Sequence, residues 1–289
     1  MPKTKLPDHL SPAQVIDLQD ELLSNADRLM NSSLLLLNKG DFGLARSVAI
    51  LGMEESGKAI AIHQRRVSIA FSPEGDPFVN KRLQDIWSSH PEKLRLVHDF
   101  LAEEPYWYGV TPPDHELNEE YLGEIDQWST KCNMLKQRGF YVDFNEQQGL
   151  LSPRDVDQEM LRDVISHVHQ IGWQLRLGED IEARKQERKS RDVPPASESQ
   201  IKHVEKFLKT NGRESQVEKI IGQLRSGRPG IKLNNDAYRP HVRTPETHPL
   251  KHLGKPGYEA YTRELLMLAE DAGMDEEDLV DLVRPQHEG

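Results

Sequence analysis

The segment Glu54-Glu55-Ser56-Gly57-Lys58 places two carboxylates and one ammonium group within five residues. On a helix, Lys58 lies four positions after Glu54 and three after Glu55, so it can form an ion pair with either carboxylate. Apolar residues at helical spacing share the face of Glu55 and Lys58, where a charge has to be paired. The segment therefore predicts one of two things: a polar centre inside a helical bundle, with a functional or partner-binding role, or a structural ion pair.

A stripe of small residues runs beside this face and ends at His63. Its members are Ala45, Ala49, Gly52, Ser56 and Ala59. Small side chains allow another helix to approach closely, and a glycine in mid-helix, such as Gly57, costs about 1 kcal/mol relative to alanine. We therefore expect a central helix over about 42–71 that packs tightly, either within one chain or against a second copy.

The residue types give little support to disulfide, metal or cofactor chemistry. Cys132 is the only cysteine, so an internal disulfide and a cysteine-based zinc site are excluded. His241, His248 and His252 lie in a basic stretch without regular spacing, and we expect no metal and no cofactor. The aromatic run 106–108 lies beside prolines and indicates a packed loop, although stacking on RNA bases is an alternative.

Helical periodicity covers most of the first 190 residues. Ser11-Pro12 is typical of a helix start, and Gly40 can end that helix. An extended excursion or β-hairpin is predicted between residues 140 and 151. Helices are predicted at about 11–39, 42–71, 78–103 with an interruption at 89–91, 116–138, and from Ser152-Pro153 past Leu177 into the charged stretch 179–192.

The composition changes near residue 190. The segment 192–197 has the proline and serine content of a linker. We predict a helical domain over 1–190 and a C-terminal extension over 191–289. The extension holds two short helices, an irregular basic loop over 227–257 and a terminal helical pair.

Charge is unevenly distributed along the chain. The net charge of −11 divides into −11 for residues 1–180, +8 for 181–255 and −8 for 256–289. The basic part can contact RNA or the ribosome, or dock on the acidic surface of the protein itself. No apolar stretch approaches the roughly 20 residues that span a bilayer, and no signal-peptide pattern is present. We expect a soluble cytoplasmic protein that does not enter a membrane.

Three motifs in order resemble the AbiV family of bacterial abortive infection proteins. The first is the alanine-rich helix 44–58 that leads into Glu-Glu-Ser-Gly-Lys. The second is His90-Pro-Glu-Lys93. The third is Arg138-Gly-Phe-Tyr-Val-Asp143, followed by Leu151-Ser-Pro153. Together they span residues 44–153, and residues after about 190 show no such resemblance.

The resemblance implies an all-α, HEPN-like helical bundle with a short extended excursion and a small helical C-terminal extension. It implies phage defence in which an infected cell halts its own growth or translation. A homodimer is expected, with RNA or the ribosome as a target and a phage-encoded protein as an activator. The residues assigned to binding are Glu54, Glu55, Lys58, His63, His90 and Lys93.

Many HEPN domains are metal-independent ribonucleases that carry an arginine and a histidine with four to six residues between them. Arg162 precedes His167 and His169 at these spacings, on the last helix of the resembling region, and we predict that these three residues are catalytic. Arg162 and His169 share a helical face, whereas His167 lies about 140° away and needs a helix break or a partner chain. The histidine would transfer protons, and the arginine would stabilise the charge on phosphorus.

A different class of function stays open at this point. In this alternative the protein is a non-enzymatic interaction module, and its groove and basic segment bind a phage protein or the translation machinery.

Overall fold

The computed structural model describes residues 5–107, 113–147, 149–155, 158, 160–210 and 217–241. Within these residues the chain forms nine α-helices and one small antiparallel hairpin, which confirms the predicted all-α class. The elements are α1 (Pro12–Asn38), α2 (Phe42–Ile69), α3 (Lys81–Ser88), α4 (His90–Glu103), α5 (His115–Leu122), α6 (Ile125–Phe140), β1 (Asp143–Asn145), β2 (Gly149–Leu151), α7 (Leu161–Ser190), α8 (Glu198–Thr210) and α9 (Val217–Ser226).

The start of α1 has the predicted form. The Ser11 hydroxyl accepts a hydrogen bond from the Gln14 backbone N–H, and the Gln14 side chain accepts one from the Ser11 N–H at 2.9 Å. Each side chain satisfies a donor that the first helical turn leaves free. Gly40, at φ 79°, follows the helix, and Asp41 then caps α2.

Helix α2 is the centre of the bundle and packs against α1, α4, α6 and α7. A Cβ atom added at Gly57 would lie 2.6 Å from the carbonyl oxygen of Lys93 in α4. Where α6 crosses α2, the Ser47 hydroxyl donates to the Lys136 carbonyl oxygen at 2.7 Å. The small residues of α2 therefore serve close packing within this one chain.

The predicted helix 116–138 is wrong in one respect, because it is two helices. Helix α5 ends at Leu122, and Gly123 adopts φ 81°, which only glycine adopts without strain. The Glu124 carboxylate then accepts hydrogen bonds from the backbone N–H groups of Asp126 and Gln127, and so begins α6. By contrast, the interruption predicted near Ser89 is confirmed, since α3 ends there and α4 begins.

The predicted start of the fifth helix at Ser152-Pro153 is also wrong. Residues Pro153–Asp155 form only a short 3-10 turn, and α7 begins at Leu161, directly after Met160 in a left-handed conformation. The predicted extension of this helix into the charged stretch is confirmed, because α7 continues to Ser190. The predicted hairpin is confirmed as well, with Phe144 of β1 opposite Leu150 of β2.

Residues 228–239, which we call the strap, return from the C-terminal extension to the helical bundle. The Asn235 amide donates to the carbonyl oxygens of Ile69 and Pro73 at the end of α2. The Tyr238 ring stacks on Phe78. The strap is irregular, as predicted, but these contacts fix it to the first domain, whose boundary at residue 190 stays a prediction.

Some predictions fall outside the described residues. These are the terminal helical pair, most of the basic loop, His248 and His252. None of the helices that the structure describes has the length and apolar character needed to cross a membrane.

Candidate functional site

The Glu54 carboxylate joins three helices at the middle of α2. It is 3% exposed and accepts a hydrogen bond from the Lys136 ammonium group of α6. His90, the first residue of α4, lies with Nδ1 2.6 Å from the other carboxylate oxygen. A buried carboxylate with a buried cation and a half-exposed imidazole is well compensated, so this pairing holds α2, α4 and α6 together.

Glu55 and Lys58 form the ion pair that their spacing predicts. They pair with each other at 2.6 Å, and both side chains keep nearly a fifth of their surface exposed, whereas Glu54 faces the core. Because α1, α3, α4, α6 and α7 all pack against α2, its apolar stripe does not define a single buried side.

Lys93 of α4 completes this cluster, which we call the Glu54 centre. Its side chain is almost fully buried, and burial and the nearby Lys58 charge lower its pKa. Among the described residues its ammonium group has no ion pair. The structure therefore brings together five of the six residues assigned to binding and adds Lys136. A binding role for Lys93 and the exposed His90 stays a prediction.

His63 belongs to a separate network around Glu179 of α7. Its Nδ1 lies 2.9 Å from the Glu179 carboxylate, and its Nε2 lies 2.7 Å from the Tyr106 hydroxyl. Gln19 and Arg66 also donate to this carboxylate, each at 2.8 Å. Burial alone would raise the pKa of Glu179, but the hydrogen bond from His63 and the Arg66 charge lower it to about 2. Every partner is satisfied internally, which makes this a structural network.

The three predicted catalytic residues lie on two sides of α7. Arg162 and His169 are exposed and share one face, as their spacing of seven residues requires. His167 is 9% exposed and points to the other side, and burial lowers its pKa. Within one chain the structure therefore does not bring Arg162 and His167 together.

His167 lines a pocket of about 310 Å³ between α5, α6 and α7. Its Nδ1 is enclosed and has no hydrogen-bond partner among the described residues. Asp163, one helical turn earlier, lines the same pocket, together with Tyr121, Trp128 and Lys131. The arrangement offers a neutral imidazole that can take a proton, beside aromatic walls that suit a flat group.

Sequence reasoning missed the neighbours of His167 and Glu54. Asp163 lies four residues before His167, a spacing that places both on one helical face and was available as a signal. Lys136 follows Trp128 and Cys132 at intervals of four residues, so it places a charge on the buried face of α6. Such a cation requires a buried acidic partner, which Glu54 supplies.

The hairpin and the three residues that lead into it expose apolar side chains, which we call the hairpin surface. The exposed fraction of these side chains runs from 38% at Phe140 to 71% at Phe144. Contiguous exposed apolar residues of this kind are typical of interaction sites. The hairpin surface consists of Phe140, Tyr141, Val142, Phe144 and Leu150.

Metal and thiol chemistry has no clear place in the described part of the chain. There, no group of three or more His, Cys, Asp or Glu side chains is arranged to hold a metal ion. Burial raises the pKa of the Cys132 thiol to about 12, so the thiolate is scarce at neutral pH. Of the three histidines in the basic stretch, only His241 lies in the described residues, and it is exposed.

Comparison with protein families gives a match. The family model HEPN_AbiV, described as AbiV, matches residues 14–173, which is more than half of the chain. The matched range contains the Glu54 centre and the start of α7, and it ends before the strap. No curated protein and no solved structure matches the chain.

Proposed function

The chain belongs to the AbiV family of HEPN proteins, and from this premise we propose that it is an RNA- or translation-directed toxin of abortive infection. Membership of the family implies a role in phage defence. The finer proposal is a metal-independent ribonuclease whose site lies on α7. The observation that carries it is His167, a buried imidazole that lines an open pocket on a different side of α7 from the exposed Arg162 and His169.

The proposed reaction uses only side chains of α7. His167 takes the proton from a ribose 2′-hydroxyl, and the oxygen attacks the adjacent phosphorus. Arg162 stabilises the negative charge that develops on the phosphoryl oxygens. His169 donates a proton to the departing 5′-oxygen, so the products are a 2′,3′-cyclic phosphate and a free 5′-hydroxyl.

This scheme leads to a homodimer. Because Arg162 and His167 face away from each other on α7, one chain cannot present both to the same phosphate. A second copy that faces the α7 surface would supply Arg162 and His169 to the pocket of its partner. We therefore propose that the ribonuclease site is shared between two chains.

A phage challenge with RNA profiling tests this proposal. Cells would express the wild type, Arg162→Ala, His167→Ala or His169→Ala, and His203→Ala would serve as a control because His203 is an exposed histidine on α8. We expect wild type and control to protect and to accumulate RNA fragments with cyclic phosphate ends. Each α7 variant should lose both effects. Protection by the α7 variants with intact RNA would overturn the catalytic assignment.

The hairpin surface favours a second function, a non-enzymatic interaction module. In that case the exposed apolar side chains bind a phage-encoded protein or a component of the translation machinery. Tyr141→Asp and Phe144→Asp would then abolish protection, whereas the α7 variants would be nearly silent. Both side chains are more than half exposed, so these changes should leave the fold intact.

A further inference from the structure

The C-terminal end of α7 and the first residue of the strap carry a group of exposed cations. Arg184 and Arg188 lie four residues apart on one face of α7. The Arg228 guanidinium donates to the Arg188 carbonyl oxygen at 3.2 Å, which places it against the same end of the helix. We call this group the basic patch, and it consists of Arg184, Arg188, Lys189 and Arg228.

The cations of the basic patch form no ion pair within the described part of the chain. The neighbouring carboxylates on α7 have other partners, because Glu182 pairs with Lys185. Likewise, Glu187 pairs with Arg191. Four cations at one end of a helix create a positive field that attracts acidic groups.

The dipole of α7 accounts for only part of this charge. Cations in the last turn of a helix interact favourably with its C-terminal dipole, and Arg188 and Lys189 lie in that turn. Arg184 lies one turn earlier, where it repels Arg188. Arg228 belongs to another segment. An acidic partner would therefore relieve repulsion that the helix dipole does not.

Aliphatic side chains flank the basic patch. Val193 pairs with Arg228 in an antiparallel bridge. The Ile231 backbone N–H donates to the Lys189 carbonyl oxygen at 2.9 Å. The side chains of Val193 and Ile231 are 48% and 50% exposed. Aliphatic groups beside cations fit a protein segment with acidic and aliphatic residues better than nucleic acid, whose bases stack on aromatic rings.

A segment of this composition follows in the same chain, outside the described residues. Residues 275–283, which we call the acidic segment, read Asp-Glu-Glu-Asp-Leu-Val-Asp-Leu-Val. Five carboxylates and four aliphatic side chains thus alternate with one another over nine positions. The net charge of −8 over 256–289 also matches the +8 over 181–255, so the two parts of the chain attract each other.

The acidic segment can reach the basic patch. Arg66 connects the end of the strap to α7, because it donates to the Arg239 carbonyl oxygen and pairs with Glu179. Glu179 lies nine residues before Arg188, which is about 14 Å along a helix. The connecting residues 242–274, at up to about 3.3 Å each, can span that distance several times over. Such a tether raises the effective concentration of the acidic segment above that of a separate molecule.

We propose that the acidic segment docks on the basic patch of its own chain. Its carboxylates pair with the guanidinium groups, and its aliphatic side chains cover Val193 and Ile231. The inference does not rest on the ribonuclease proposal, because the basic patch lies outside the range 14–173 that the family model matches.

Carbodiimide cross-linking of the full chain tests this inference, because the reagent joins a lysine ammonium group to a carboxylate that contacts it. Mass spectrometry should find amide links between Lys189 and the carboxylates of the acidic segment. Arg184→Glu/Arg188→Glu should lower their yield about fivefold, since two exposed attractions become repulsions. Absence of these links in the wild type, or an unchanged yield in the variant, would overturn the proposal.

Two further variants test whether the attraction is specific. Lys202→Glu/Lys206→Glu reverses two exposed cations at the same spacing on α8 and should leave the yield unchanged. An equal loss in this control would show general charge attraction and would overturn the proposal. Glu276→Arg/Asp278→Arg, combined with the reversed basic patch, should restore the yield because the charges are exchanged.

The identity of the occupant is tested in the same assay. In a mixture of ¹⁵N-labelled and unlabelled chains, the links should join residues of one isotope only. Links of mixed isotope would assign the acidic segment to a second copy and would overturn docking within one chain. Loss of the links on addition of an equimolar short polyuridine strand would assign the basic patch to nucleic acid and would also overturn the proposal.

Discussion

Glu54 and Glu179 are two buried carboxylates that the protein compensates in different ways. Glu179 receives an arginine, a histidine and an amide, all enclosed in the bundle. Glu54 receives a buried lysine and a histidine that reaches solvent. All the donors to Glu179 are buried, so water cannot take the place of the carboxylate if Glu179 loses its charge. We therefore expect the Glu179 network to affect the stability of the fold more than the Glu54 centre does.

We expect Glu179 to make the fold sensitive to acid. Its pKa falls from 4.5 in the unfolded chain to about 2 in the folded protein, so its contribution is complete above pH 4.5 and is lost as the pH drops towards 2. The shift corresponds to about 3 kcal/mol of unfolding free energy. Chemical denaturation between pH 2 and 7 would measure it. Glu179→Gln should lower stability at pH 7 and flatten the profile, whereas Glu187→Gln, a part-exposed control on the same helix, should resemble the wild type.

His167 should resist protonation in the folded protein. Burial lowers its pKa below 6.5, partly opposed by Asp163, whereas the unfolded chain takes up the proton near 6.5. Stability should therefore decrease as the pH falls from 7 through 6.5 and the unfolded state gains a proton that the folded state refuses. An NMR titration of the imidazole resonances measures the pKa. A midpoint above 6.5 would contradict the neutral imidazole that the proposed reaction requires.

At the scale of elements, close helix crossings decide where glycine is needed. Gly57 lies against the Lys93 backbone of α4, whereas Gly222 of α9 has no atom within 4 Å of an added Cβ. Both residues are interior to a helix, where alanine is normally better by about 1 kcal/mol. Gly57 is buried and Gly222 is exposed, so the extra carbon would meet different surroundings at the two positions.

We predict opposite effects for the same substitution at these two sites. Gly57→Ala should destabilise the protein by about 1–3 kcal/mol, because α2 and α4 must move apart to accept the methyl group. Gly222→Ala should stabilise it by up to about 1 kcal/mol. Thermal melting of both variants provides the measurement. Stabilisation at both positions would show that α2 and α4 do not approach as closely as the structure places them.

The sequence predicts elements where the signal is local. The capping pair Ser11 and Gln14 and the break at Ser89 lie within single turns, and both are found as expected. The break at Gly123 was missed, because a glycine inside a helical pattern is often tolerated and the cap from Glu124 has no strong composition signal.

In the candidate site, too, the sequence predicts what depends on neighbouring residues and not what depends on contacts between distant elements. The charged residues of the Glu54 segment can be recognised from the sequence alone. Lys136, however, lies 82 positions away from Glu54. No rule of residue spacing predicts which helices will come into contact. Likewise, Arg162 and His167 match a motif by distance along the chain. Only the structure shows that His167 turns into a pocket whose other walls come from α5 and α6.

At the scale of the whole molecule, the shared site predicts a dimer. Light scattering of the purified chain should give twice the monomer mass of 33.1 kDa. Charge reversal at Arg162, which is exposed on α7, should shift the population towards the monomer if this face forms the interface. A mass near 33 kDa at micromolar concentration would contradict the shared site and favour the interaction module.

The strap is synthesised long after the residues of the bundle that it contacts. The Tyr238 hydroxyl donates to the carbonyl oxygen of Leu10, across 228 residues, and Arg66 donates to strap carbonyls at Tyr238 and Arg239. A ribosome that adds about 5–20 residues per second needs roughly 10 to 50 seconds to pass from one partner to the other. Throughout that interval the nascent chain lacks the segment that covers Arg66. The contacts between the strap and the bundle can therefore form only after residues 5–227 have been synthesised.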